Sequence, residues 1–245
     1  MSFKDRVVVV LGATGVVGTG VVRKYLDAGA TVVGVSRSSG KIDELKKRID
    51  IKASEPFLSV EGDFQDEAQA SRTRDAVLGA LKGKAIDHVV SILGFPAVDK
   101  GPTETSLEAF KKSLDDGLFN TFLAAKAFLP GLKSREGSSY TIVSGGLAHF
   151  PPPNPALWLG TVKNAAVNAL NHALTSETAK DPVRVNTLCI HFGIAPIGGN
   201  KNQFGMPAEG DGLRLAPAFL GVARGTTKGQ VICLNNWAEA EKWSS

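Results

Sequence analysis

Three glycines, Gly12, Gly15 and Gly18, stand three residues apart in the stretch Arg6 to Gly18, RVVVVLGATGVVG, with Thr14 inside the turn. Glycines at this spacing could hold a phosphate. The apolar run Val7 to Leu11 before them reads as a strand buried on both faces. After them Val16, Val17, Val21, Val22, Tyr25 and Leu26 recur at helical spacing. A strand, a glycine turn and a helix leave backbone N–H groups and the positive end of a helix dipole aimed at one spot, where a pyrophosphate can sit. A side chain there would block the approach of the pyrophosphate, or of the helix to the strand. A tight turn without a ligand is the alternative reading of the same residues.

A second chemical marker follows at the end of the next strand-like run, Thr31 to Ser36. In a dinucleotide fold an acidic residue at this point holds the adenosine ribose 2′-hydroxyl. Ser36 followed by Arg37 suits a 2′-phosphate instead, so the expected cofactor is NADP(H) in preference to NAD(H). Asp63 and Phe64 lie just past a third strand, Phe57 to Val60, where ligands of such sheets bind. A fourth strand, Ile86 to Gly94, delivers Ser91, Leu93 and Gly94 to the same edge.

These residues need a scaffold, and the rest of the chain supplies its elements. Helices are expected at Ile42–Ile49, Asp66–Leu81, Leu107–Leu129, Ala156–Ala179 and Leu213–Val222. Further strands are expected at Ser139–Gly146, Val183–Ile190 and Gly229–Leu234. The stretch from Pro96 to Thr105 reads as loop, and Pro130-Gly131 stops the long helix Leu107–Leu129. Strands alternating with helices imply a parallel sheet with right-handed crossovers. The expected fold is α/β: a single-domain Rossmann fold, residues 1–245, with a doubly wound sheet of about seven strands and helices on both faces. The glycine- and proline-rich segment 192–211 is long for a loop and reads as a lid or a mobile segment.

Composition narrows the function. The 245 residues are 43% hydrophobic and carry a formal charge of +4. The basic residues are scattered beside acids on helices, which reads as solvated faces and not as a nucleic-acid stripe. The two cysteines, Cys189 and Cys233, sit in apolar strand-like runs and read as reduced core residues. No apolar run reaches the length of a membrane span, and the N-terminal residues show no signal-peptide core. A soluble cytoplasmic protein is expected.

Taken together, these pieces resemble the short-chain dehydrogenase/reductase family over nearly the full length. The resemblance rests on Gly12-Ala13-Thr14-Gly15-Val16-Val17-Gly18, Asp63, Ser91-Ile92-Leu93-Gly94, Phe122 to Pro130, Ile142-Val143-Ser144, Lys163-Asn164-Ala165-Ala166, Arg184-Val185-Asn186 and Gly229-Gln230-Val231-Ile232. It implies that Asp63 binds adenine, that Ser91 to Gly94 pass beside the cofactor, that Lys163 holds the nicotinamide ribose and that Ser144 orients a substrate carbonyl. Family chemistry uses a Tyr-x-x-x-Lys pair that exchanges a proton with the substrate oxygen while hydride moves to or from the nicotinamide. Four residues before Lys163 stands Leu159, and the two tyrosines, Tyr25 and Tyr140, fall far from that position. The relay asparagine aligns with Gly117, beside Asp116; Ile190-His191 replaces a Pro-Gly, and Ala195 replaces a threonine.

Leucine has no proton to give. The remaining donors are His149, His191, Asp116 and a water held by Ser144, and reduction of an activated, iminium-like group needs little proton donation. Trp158, Leu159, Phe150 and Phe192 are expected to line the pocket of a small organic substrate. The leading reading is NADP(H)-dependent reduction of a carbonyl or imine-like group. Nucleotide binding without redox turnover, and a non-redox cyclase or isomerase, stand beside it. The resemblance also implies a homodimer or homotetramer packed through the two long helices.

Overall fold

A computed structural model describes residues 2–94 and 98–243; Pro96, at the start of the expected loop, lies outside the described residues. Seven strands form one sheet: β1 (Val7–Leu11), β2 (Thr31–Ser36), β3 (Phe57–Glu61), β4 (His88–Ser91), β5 (Ser139–Gly145), β6 (Arg184–Ile190) and β7 (Val231–Leu234). Every pairing is parallel and the order is β3-β2-β1-β4-β5-β6-β7. The order reverses direction at β1 and β4, which opens a crevice at their carboxyl ends. No helix among the described residues is long and apolar enough to cross a membrane.

The helices are α1 (Val16–Asp27), α2 (Ser39–Arg48), α3 (Glu67–Leu81), α4 (Leu107–Leu114), α5 (Asn120–Phe128), α6 (Trp158–Glu177), α7 (Gly212–Leu215), α8 (Pro217–Arg224) and α9 (Trp237–Lys242). Strand residues alternate between two cores. Val8, Val10, Leu188, Ile190 and Leu234 pack with Tyr25, Phe219 and Trp237 of α1, α8 and α9. Val7, Val9, Leu11, Tyr140, Ile142 and Val185 pack with Val77, Phe128, Val167 and Leu174 of α3, α5 and α6. β1 is therefore buried along its whole length, and each such aliphatic side chain contributes roughly 1.5–3 kcal/mol.

The amino end of the sheet is tied by one carboxylate. Asp87 accepts from Val7 N (2.8 Å), Arg6 Nη1 (2.8 Å) and Arg135 Nη2 (2.7 Å). Burial alone would raise its pKa, but these bonds together hold it below the ordinary value. Next to it His88 Nδ1 lies 2.9 Å from Ser139 Oγ, and burial lowers the imidazole pKa to about 4. This end carries structural ionic contacts and leaves the carboxyl end for chemistry.

One expectation is corrected. The helix expected at 107–129 is α4 and α5 joined by a π-helical turn, Asp115–Phe119, and followed by a 3-10 turn, Leu129–Leu132, that contains Pro130. The polar tail after β7 holds a helix, α9, capped by Asn236 Oδ1 on Glu239 N at 2.9 Å. Its Trp237 is buried and stacks on Phe192 at 4.5 Å. The segment 192–211 is closed on itself. Asn202 Oδ1 accepts from Phe204 N and Met206 N, and Ala195 N donates to Gly210 O.

Candidate active site

The glycine turn works by backbone packing. Gly12 has φ +80°, and a Cβ there would lie 2.2 Å from the Ile92 carbonyl oxygen. A Cβ on Gly18 would lie 2.2 Å from Gly12 O. Gly15 caps α1 with no side chain bonded to the first-turn amides, so this N-terminus is open to an anion. Gly12 N and Ala13 N both donate to Val35 O at 3.1 Å, which seats the turn on β2.

A cavity of roughly 600 Å³ opens over this turn. Gly12, Thr14, Gly15, Ser36, Arg37, Asp63, Phe64, Leu93, Gly94 and Asp116 line it, so ten of the sequence candidates meet in one place. Val16, Val17, Gly18 and Ser91 lie behind this lining. The valines pack on the core, and Ser91 is buried. Ser36 Oγ lies 3.0 Å from Thr14 Oγ1, which links β2 to the turn. Asp63 is held by Thr73 Oγ1, 3.0 Å from its backbone N and O, and its Oδ1 accepts from Phe64 N at 2.8 Å. Lys41, Arg48 and Lys112 also line the cavity. Of these, Lys41 and Arg48 are exposed, in keeping with the reading of the basic residues as solvated faces. Among the described residues no carboxylate pairs with Arg37, Lys41 or Arg48.

Lys163 comes from α6 and is 6% exposed. Its stem crosses Gly117 in the π-helical turn: a Cβ on Gly117 would lie 2.0 Å from Lys163 Cδ. Glycine at position 117 is thus what makes room for the lysine. Lys163 Nζ comes within 3.9 Å of where a Gly94 Cβ would stand, at the cavity floor. Burial lowers the Lys163 pKa, and the Asp116 charge opposes that shift. Asp116 itself pairs with Lys112 at 3.1 Å.

The remaining candidates gather at the ends of β5, β6 and β7. Strand register sets Ser144 beside Cys189 and Cys189 beside Cys233, a row across three strands. Ser144 Oγ donates to Asn168 Oδ1 of α6 at 2.6 Å, and Asn168 Nδ2 lies 3.3 Å from His149 Nε2. His191 follows Cys189 by two residues and shares its face, with its Nε2 3.4 Å from Cys189 Sγ. His149 Nε2 lies 3.7 Å from Cys233 Sγ, and the two imidazole rings are 5.4 Å apart. Burial raises the Cys189 pKa to about 11. His191 is lowered by burial and then by His149, against the charge of Glu239 and a hydrogen bond with Asn235.

The expected pocket aromatics divide. Phe150 is exposed and meets His191 edge-on at 5.6 Å. Trp158 donates from Nε1 to Thr105 Oγ1 at 3.1 Å and packs on Phe110. Leu159 is buried, and Phe192 turns onto Trp237. Tyr25 is fully buried and donates to Phe219 O, while Tyr140 is fully buried in the core under β5. Sequence reasoning missed Asn168, Lys41, Arg48 and the grouping of the two cysteines with the two histidines. Cys233 is half-buried and borders His149, which corrects its reading as a core residue. The Cys-x-His alternation on β6 was the available signal for that group.

The pattern of the short chain dehydrogenases matches residues 6–202. The chain is 30% identical over 207 residues to a 3-phenylpropionate-dihydrodiol/cinnamic acid-dihydrodiol dehydrogenase of Escherichia coli, covering 81% of this chain and 69% of that protein. It is 28% identical over 186 residues to the mouse L-fucose dehydrogenase, covering 76% of this chain and 64% of that protein, so it spans less than two thirds of that relative's length. Its fold is that of an NADPH-bound short chain oxidoreductase from Pseudomonas aeruginosa PAO1 described as containing an atypical catalytic center. The TM-score is 0.79 at 23% identity, with 96% of this chain and 97% of that chain covered. The glycine turn, the parallel sheet and the extent of the pattern match make this chain a member of the short chain dehydrogenase family.

Proposed function

We propose that this protein is an NADP(H)-dependent oxidoreductase that transfers hydride between the nicotinamide and a carbonyl or imine-like carbon of a small organic substrate. The observation that carries the reading is the cavity itself, with Arg37, Lys41 and Arg48 along its β2–α2 wall, and with the buried Lys163 reaching toward Gly94 of its lining. Three cations against the single carboxylate of Glu44 on that wall favour a ribose 2′-phosphate over a bare hydroxyl. The dinucleotide pyrophosphate would rest on the open N-terminus of α1, with Asp63 toward the adenine and Lys163 toward the nicotinamide ribose. The bound cofactor supplies the hydride.

The chain's own part is to position the acceptor and its oxygen. The Ser144 hydroxyl now bonded to Asn168 is the group at hand to donate to a substrate oxygen. With Leu159 at the tyrosine position, the proton on that oxygen comes through Ser144 from solvent, and acceptors already activated react fastest. Trp158, Leu159 and Phe150 favour an apolar substrate body. Leu107, Phe119, Phe122 and Val162 expose apolar surface on the α4–α5 and α6 helices, which supports assembly of identical chains through those helices.

The test is NADPH and NADH titration by nicotinamide fluorescence, followed by NADPH oxidation against a panel of ketones, aldehydes and imines. Turnover on an activated acceptor, lost on Lys163→Ala, supports the reading. Binding without turnover across the panel assigns the chain a nucleotide-binding role without redox chemistry. Binding of neither nucleotide overturns the reading.

A further inference from the structure

We propose that Cys189, His191, Cys233 and His149 form a binding site for one thiophilic divalent cation, with zinc the best match. Their ligand atoms all lie within 4.8 Å of one another. Tetrahedral zinc, with Zn–S about 2.3 Å and Zn–N about 2.0–2.1 Å, separates a sulfur from a nitrogen ligand by about 3.6 Å. The Cys189–His191 and Cys233–His149 S···N separations, 3.4 and 3.7 Å, fall on either side of that value. A contraction of about 1 Å in the widest pair completes the shell.

The fold aims these four groups at one point. Cys189 near the end of β6 and His191 just past it point to the same side, and Cys233 on β7 sits in register with Cys189. His149 is delivered by the 3-10 turn after β5, whose Gly145 is in register with Ile190. Two soft thiolates with two imidazoles select zinc or cobalt over magnesium or calcium.

Binding forms two metal–sulfur and two metal–nitrogen bonds. The two thiols release two protons to solvent, the imidazoles bind neutral, and no electrons move. Two thiolates cancel the charge of the ion, so the half-buried site carries no net charge. Four protein ligands close the coordination shell, so the ion is a tether and not a Lewis acid for substrate. It would fix the β5–α6 loop, with His149, to the ends of β6 and β7. The inference does not draw on the cofactor reading: a chain that binds no NADPH can still hold the ion.

The experiment uses untagged full-length protein, purified under reducing conditions and stripped by chelator, then titrated with cobalt(II) alone. The expected result is one equivalent bound, with the visible bands of a tetrahedral site and an ultraviolet sulfur-to-cobalt charge-transfer band that zinc abolishes. Cys233→Ser halves the charge-transfer intensity, and His149→Gln, at an exposed position, weakens cobalt affinity at least about tenfold. Both substitutions avoid the buried Cys189, so folding is not at issue. Absence of the charge-transfer band at excess cobalt overturns the proposal. So does a band unchanged in both variants, or a Cys189–Cys233 disulfide in peptides from the purified protein.

Discussion

The two halves of the crevice are built on different principles. On the β1–β2 side the geometry belongs to the backbone: Gly12 at φ +80°, Gly18 against Gly12 O and an uncapped helix N-terminus define the floor before any side chain is considered. On the β5–β7 side the geometry belongs to side chains from five separate segments, Ser144, His149, Lys163 with Asn168, the Cys189-x-His191 pair, and Cys233. A backbone site tolerates little change in sequence, because each glycine is required by a carbonyl oxygen next to it. A side-chain site can exchange one chemical group for another on the same frame. In the proposed reading the β1–β2 side holds the nucleotide, and the β5–β7 side carries the groups that meet the substrate.

Substitutions separate the halves, beginning with the largest effect. Gly12→Ala puts a Cβ 2.2 Å from the Ile92 carbonyl oxygen in a left-handed conformation. It should abolish nucleotide binding in fluorescence titration and lower the thermal midpoint. Normal NADPH binding by this variant would break the distinction between the two sides. Lys163→Ala removes a buried ammonium at the cavity floor and should weaken NADPH about 10- to 100-fold, the scale of a lost charged hydrogen bond. Arg37→Ala should lower the NADPH-to-NADH affinity ratio about tenfold with little change in NADH affinity. Leu159→Tyr places a phenol one helical turn from Lys163 and should raise turnover on unactivated ketones. Turnover that does not rise would mean that Ser144 and Lys163 do not converge on one substrate oxygen.

The smallest effect on nucleotide binding lies outside both halves and serves as a control. His88 is buried neutral, with its pKa lowered to about 4 from an unfolded value of about 6.5. Between these values the unfolded chain binds more protons, so stability rises with pH through this window. The contribution is fully present above pH 6.5 and is lost as pH falls through 4, by up to about 3 kcal/mol. Denaturant unfolding across pH 4–7 should show this slope flattened in His88→Gln, while nucleotide affinity stays unchanged.

The same contrast explains what was legible in the sequence. Strand order, the glycine turn and the Ser36-Arg37 end of β2 could be read because each is a local pattern: an apolar run, a spacing, a charge at a strand end. The π-helical turn at Asp115–Phe119 could not, because it leaves the apolar periodicity almost intact, and Lys163, whose stem crosses Gly117 in that turn, is 46 positions away. The burial of Trp237 was hidden in a polar tail because its partner, Phe192, lies across β7. The Cys189, His191, Cys233 and His149 group was hidden in the same way. Each residue alone reads as core or loop, and only parallel register brings them together.

The account rests on the cavity floor being an NADP(H) site, and competitive titration of the wild-type protein tests this most directly. NADPH fluorescence enhancement should saturate at one equivalent per chain, reversed by NADP⁺ at concentrations at least about tenfold lower than NAD⁺. Equal displacement by NAD⁺ would remove the role assigned to Arg37, Lys41 and Arg48, and no saturable enhancement with either NADPH or NADH would contradict the account at its base.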